Sequence, residues 1–298
     1  MASSGNGGIL GPLNQPIETT ENLTAFTSPG TFVAQATQTI ADVFVLAGGG
    51  GGGSADNNEA GAGAAGAGGY RLISSHPIPS SPVAITVGGG GAADTRGSNS
   101  IFAGASPLTA SGGGIGGGST TAGGGPSDNM PGGSGGGKGL VGGGSFPANP
   151  PYDSGTGNTG GYTPAEGTQG GPGGGAPLYA GGGGGGHTAE GGPGNSWPAN
   201  GGTGTANDVN SPTASPSSTT YAVGGPSGRY PLSTTSYAAP ANSGGGGGGA
   251  SCTYGGGGTG GAGGSGIVVV KEVAQAAASG VWQMNTVYDY VKAGDWTN

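Results

Sequence analysis

Residue types that do chemistry are sparse in this 298-residue chain, and their spacing does not assemble them. Gly132, Gly137 and Lys138 copy the opening of a phosphate-binding loop, but Gly139 stands where a Ser or Thr hydroxyl would hold magnesium, and no strand is predicted before it. The two histidines, His76 and His187, are 111 residues apart, and with one cysteine, Cys252, they give no metal-ligand spacing and no internal disulfide. The acids are solitary, which leaves paired-carboxylate catalysis without footing, and neither histidine is tied to one particular hydroxyl. The expectation is a protein with no catalytic residues, no metal and no cofactor.

Residues suited to contact are better supplied. Between 145 and 242 there are eight aromatic side chains and five charges among Ser, Thr, Asn and Pro. Tyr and Trp give wide contact area with few rotors, while Ser, Gly and Asn give adaptable hydrogen bonds, which together make a recognition surface. Tyr152, Tyr162, Trp197, Tyr221, Tyr230 and Tyr237 are the candidate receptor-binding residues. The competing reading has these rings capping glycine helices as a satellite core. Only 6 Lys and Arg stand against 14 Asp and Glu, with no basic stripe, so nucleic-acid binding is not expected. The longest apolar runs, 43–47 and 267–270, are too short to span a bilayer, and residues 1–10 lack the marks of a signal peptide.

The elements that must position these residues are set by 82 glycines and 22 prolines. Leu, Ile, Val and Phe number only 38, and 9 of them serve the whole stretch 103–266. The core is therefore made by the two ends of the chain. Short β-branched and aromatic segments at 23–27, 31–35, 40–47, 70–73, 83–87, 100–103 and 267–271 read as strands, with a proline-punctuated loop at 76–79. Helix is improbable between them, since glycine costs about 1 kcal/mol and proline about 3 kcal/mol against alanine inside a helix. Glycine runs such as 48–53, 181–186 and 244–249 break the every-third rule of collagen and share no fixed repeat. They fit polyglycine II, a left-handed threefold helix whose backbone groups pair with neighbouring helices.

The fold class expected is mainly β and irregular: a small β-sandwich-like scaffold from the N-terminal strands and the strand near 267–273, enclosing packed polyglycine II helices, with one short C-terminal helix. The divisions are an attachment arm at 1–21, a β scaffold at 22–103, a polyglycine II region with aromatic loops at 104–266, a closing strand at 267–274, and a docking tail at 279–298. In that tail Asn285 reads as an N-cap and Gly294 as the residue past the helix end. Trp282, Tyr288, Val291 and Trp296 are its candidate assembly contacts.

Phe26-Thr27-Ser28-Pro29-Gly30-Thr31-Phe32, Asp42-Val43-Phe44-Val45-Leu46-Ala47 running into six glycines, Ile85-Thr86-Val87 running into four, Gly97-Ser98-Asn99-Ser100-Ile101-Phe102, and Gly264-Ser265-Gly266-Ile267-Val268-Val269-Val270-Lys271 resemble the glycine-rich domain of bacteriophage tail-associated proteins. The chain is also similar to glycine-rich adhesins at phage fibre tips, and its end to short tails of marine phage structural proteins. The resemblance implies a non-enzymatic virion protein, assembled in the host cytoplasm, that contacts a bacterial surface receptor, either a glycan or an outer-membrane protein. A capsid or tail decoration protein is the alternative. Its tail would dock on its own body, on a second copy of the chain or on another virion protein.

Overall fold

Alternation along two apolar runs decides the architecture. In 43–46 and 267–270 every residue is apolar, so successive side chains fill both faces of a strand. The computed structural model, which describes residues 21–35, 38–55, 61–118, 130–139, 154–174, 180–195, 199–228, 236–251 and 256–272, places these runs at the centre of a sheet. Its order is β1 (Asn22–Phe26), β10 (Ile267–Glu272), β3 (Ile40–Leu46), β4 (Tyr70–Pro77). β10 pairs antiparallel with β3, Val268 opposite Val45 and Val269 opposite Phe44.

A second sheet, β2 (Gly30–Phe32), β5 (Val83–Thr86), β6 (Ser100–Phe102), β7 (Leu108–Ala110), supplies Phe32, Val83, Ile85, Phe102 and Leu108 to one face of the first. They bury Val43, Val45, Val268 and Val270 between the sheets. On the other face Phe44, Leu46, Ile267 and Val269 pack against Tyr70, Ala67, Val209 and Tyr221. Tyr221 comes from a hairpin of β8 (Thr205–Asn207) and β9 (Thr219–Tyr221). Two charged residues of β10 are buried yet bonded. Lys271 Nζ donates to the Ser211 carbonyl at 3.0 Å, and Glu272 Oε1 accepts from the Gln35 amide at 2.7 Å.

Two expectations need correction. The strand predicted at 70–73 runs on to Pro77, through the loop expected at 76–79. It does so past an irregularity between Ala41 and Val43, and Pro77 is tolerated because β4 is an edge strand. The sandwich also does not enclose the polyglycine helices. β3, β5 and β7 run directly into glycine segments, and β4, β6 and β10 emerge from them, so the lattice extends from one end of the sandwich.

The lattice has a three-residue period. Gly48 and Gly51 donate to Ser98 and Thr95, Gly49 and Gly52 to Gly264 and Gly261, Gly50 and Gly53 to Gly66 and Gly63, all at 2.8–3.1 Å. Their carbonyls accept in the same rhythm: Gly48 and Gly51 from Gly113 and Gly116, Gly49 and Gly52 from Gly91 and Asp94, Gly50 and Gly53 from Gly247 and Ala250. Six neighbouring segments thus surround one helix, three antiparallel to it through its donors and three parallel through its acceptors. The helix at 61–69 also has six such neighbours, 182–185 parallel to it and 244–250, 111–117, 225–228, 50–53 and 134–137 antiparallel. Backbone pairing here replaces the apolar side chains that the composition lacks.

Packing, not backbone freedom, demands glycine. Among the described glycines only Gly161 and Gly244 have positive φ. A Cβ built on any of Gly48 to Gly53 would instead fall within 2.3 Å of a neighbour's carbonyl oxygen. Alanine is accepted where a methyl has an apolar neighbour, as in the buried Ala55, Ala62 and Ala250 cluster.

Candidate functional site

The outer edge of β4 carries a loop instead of another strand. Tyr70 donates its amide to the Glu166 carbonyl at 2.9 Å. Residues 158–166 are fixed at both ends. Asn158, with φ 54°, accepts at Oδ1 from the amides of Tyr162 at 3.1 Å and Glu166 at 3.3 Å, and its Nδ2 donates to the Tyr162 carbonyl. The short amide side chain suits this left-handed position. Glu166 is wholly buried, and its carboxylate accepts from the amides of Ser111 at 2.8 Å and Gly160 at 3.1 Å.

Arg71 projects from β4 with its guanidinium carbon 3.8 Å from the centroid of the Tyr162 ring, and its Nη1 donates to the Thr109 carbonyl at 3.1 Å. Tyr162 is clamped from another side, because a Cβ on Gly160 would strike its ring. Among the described residues no carboxylate pairs with Arg71. Tyr70 stacks on His187, 4.2 Å between centroids at 20°. The Tyr70 hydroxyl accepts from Asn207 Nδ2 at 2.9 Å, and His187 Nδ1 meets the Thr205 hydroxyl. Burial raises the Tyr70 phenol above its usual range and lowers the His187 imidazole below its own, so both are neutral at pH 7.

These parts surround an open cavity of about 100 Å³. Arg71, Leu72 and Ile73 form one wall and Thr163, Pro164 and Ala165 the other, with the Tyr70 and His187 pair completing it. The register of β4 sets Tyr70 and Leu72 on one face of the strand and Arg71 and Ile73 on the other, toward the second sheet.

The candidates read from sequence do not converge. Tyr162 is half-buried and backs Arg71. Tyr221 is 3% exposed, its ring 5.1 Å from that of Phe44, so it fills the core and is not a surface contact. The residue follows β-strand alternation, which the composition of 145–242 could not convey. Tyr237 is 50% exposed, while its carbonyl accepts from Gly248 inside the lattice. Tyr152, Trp197, Tyr230, Cys252, Trp282, Tyr288, Val291 and Trp296 lie outside the described residues, as do residues 1–20 of the expected arm and the docking tail with its C-terminal helix. Arg71, Leu72, Pro164 and His187 were not singled out as a site. A lone arginine in a strand reads as a solvated charge, and its only signal was scarcity, one of six cations.

Among the described residues no group of His, Cys, Asp and Glu is arranged to hold a metal ion, and no helix is long and apolar enough to cross a membrane. A model of a glycine-rich domain matches residues 26–272, and the chain belongs to that family. No curated protein matches the chain.

Proposed function

We propose that this protein is a non-enzymatic virion component of a tailed bacteriophage, a tail-fibre or tail-tip adhesin that recognises the host-cell surface. The observation that supports it best is the anchoring of the 158–166 loop, which holds Arg71 and Tyr162 at the surface through bonds from Asn158 and Glu166. Contact residues fixed before binding lose little entropy on binding, so a backbone lattice beneath them favours affinity. The sequence resemblance to phage fibre-tip adhesins supplies the biological setting. The remaining virion would be engaged through residues 1–21 and 279–298.

Purified protein mixed with host cells tests this reading. Saturable cell binding and blocked phage adsorption at micromolar protein are expected. Failure of both, with many copies per virion on a quantitative gel, would replace the adhesin by a capsid or tail decoration protein.

A further inference from the structure

We propose that the groove beside the 244–250 helix takes an extended glycine-rich strand of another protein, bound as one more threefold helix of the lattice. The inference goes beyond the adhesin reading and does not depend on it.

The helix at 244–250 has lattice bonds on five sides only. Gly247 and Ala250 donate to Gly50 and Gly53, Gly246 and Gly249 to Val223 and Pro226, and Gly248 to Tyr237. Gly244, Gly247 and Ala250 accept from Gly68, Ala65 and Ala62, while Gly245 and Gly248 accept from Gly264 and Gly261. The carbonyls of Gly246 and Gly249 accept from no described residue. Donor and acceptor sides alternate around a threefold axis, so these two carbonyls point to the sixth side, between segments 223–226 and 237–239. Both residues are buried, and a buried carbonyl is rarely left without a donor.

The floor of this groove is glycine. A Cβ on Gly246 would fall 2.1 Å from the carbonyl oxygen of Ala65, as it does throughout the filled lattice. On Gly245 it would meet only the flanks, with Ala239 Cβ at 3.0 Å, Ser243 Oγ at 3.1 Å and the Val223 oxygen at 3.6 Å. On Gly248 the nearest atoms are again flanking, Tyr237 Cβ at 2.9 Å and the Pro226 oxygen at 3.3 Å among them. Val223 and Tyr237, on the two flanking segments, are 42% and 50% exposed. An aromatic ring beside a narrow channel is the setting in which extended threefold peptides are recognised.

Continuity with the lattice states what the sixth side accepts. Each occupied side holds an extended segment that repeats its bonds every three residues. A strand on the open side must approach closely and donate an N–H to each of two carbonyls about 9 Å apart along the axis. Glycine meets both conditions. A proline strand shares the helix but has no N–H to give. A second copy of the chain is not the occupant, because each described glycine run is already bonded within its own lattice.

The test titrates the isotope-labelled full chain with a hexaglycine peptide carrying a C-terminal lysine, using hexaproline with the same lysine as control, and follows carbonyl and amide shifts. Saturable millimolar shifts are expected at the Gly246 and Gly249 carbonyls and at Tyr237, with binding of the proline peptide weaker by about tenfold or more. Gly245→Ala directs a methyl into the groove and should weaken the glycine peptide by about tenfold. Tyr237→Ala removes a half-exposed ring, so it should weaken binding several-fold while its melting temperature stays near that of the parent. Equal response to the proline peptide, shifts confined to other parts of the chain, or unchanged affinity in both variants would overturn the inference. Self-association of the parent in sedimentation, lost in G245A, would overturn it too by giving the groove to a second copy.

Discussion

Gly50 and Gly53, three residues apart, bond to the same two neighbours in the same way. Gly50 donates to Gly66 and accepts from Gly247; Gly53 donates to Gly63 and accepts from Ala250. A strand would repeat its partners every second residue and an α-helix would bond to itself, so this rhythm identifies a threefold helix in a lattice of like helices. The consequence is a body whose order resides in its backbone, with side chains reserved for the sandwich and the surface.

Substitution should therefore sort glycines by neighbours. Gly52→Ala puts a methyl 1.9 Å from the Gly248 oxygen and should cost about 3 kcal/mol or more, since overpacking here meets backbone that cannot rotate away. At Gly89 nothing lies within 4 Å and φ is not positive, so Gly89→Ala should leave stability unchanged or raise it by up to about 1 kcal/mol. Denaturant melts of the two variants check the contrast.

Tyr221 should behave as core. Its ring packs on Phe44, and Tyr221→Ala should destabilise by roughly 3 kcal/mol, in the range of large aromatic truncations. Cell binding per folded molecule should not change. A variant that melts normally but fails to bind cells would put Tyr221 back among the contact residues.

Glu166→Ala should loosen the site before the fold. It strands the amides of Ser111 and Gly160, at about 1–3 kcal/mol each. Hydrogen exchange at those two amides should accelerate, and the Arg71 and Tyr162 contact should lose definition, while β3 and β10 amides stay slow.

Acid should destabilise the protein through its histidines. His76 is buried, its Nε2 3.0 Å from the Ser106 carbonyl, and burial lowers it as it lowers His187 below the ordinary 6.5. The unfolded chain therefore takes up protons first as pH falls. Stability from these two groups is full above about pH 6.5 and declines below it, until the folded histidines also titrate. Melting temperatures between pH 7.5 and 5 should fall, and fall less in His76→Asn.

The sandwich was largely legible because both of its central strands announce themselves: Val43–Leu46 and Ile267–Val270 are the chain's strongest apolar runs, and each is buried on both faces. β7, β8 and β9 were not, being three residues each in a stretch poor in apolar residues. Glycine runs pointed to threefold helices, yet the helix at 61–69 escaped because alanines interrupt it at positions where a methyl fits. The site was least legible. Arg71 meets Tyr162 through a loop fixed by one buried carboxylate, Glu166, and a solitary acid in sequence gives no sign of which amides it will hold.

Residue-resolved hydrogen exchange of the six amides from Gly48 to Gly53 tests the central claim most directly. Each is bonded inside the lattice, so all six should exchange as slowly as the β3 amides, at the rate set by global unfolding. Exchange near the rate of an unstructured glycine peptide, with β3 still protected, would show that the lattice does not exist and that these glycines are loops hung on a small sandwich.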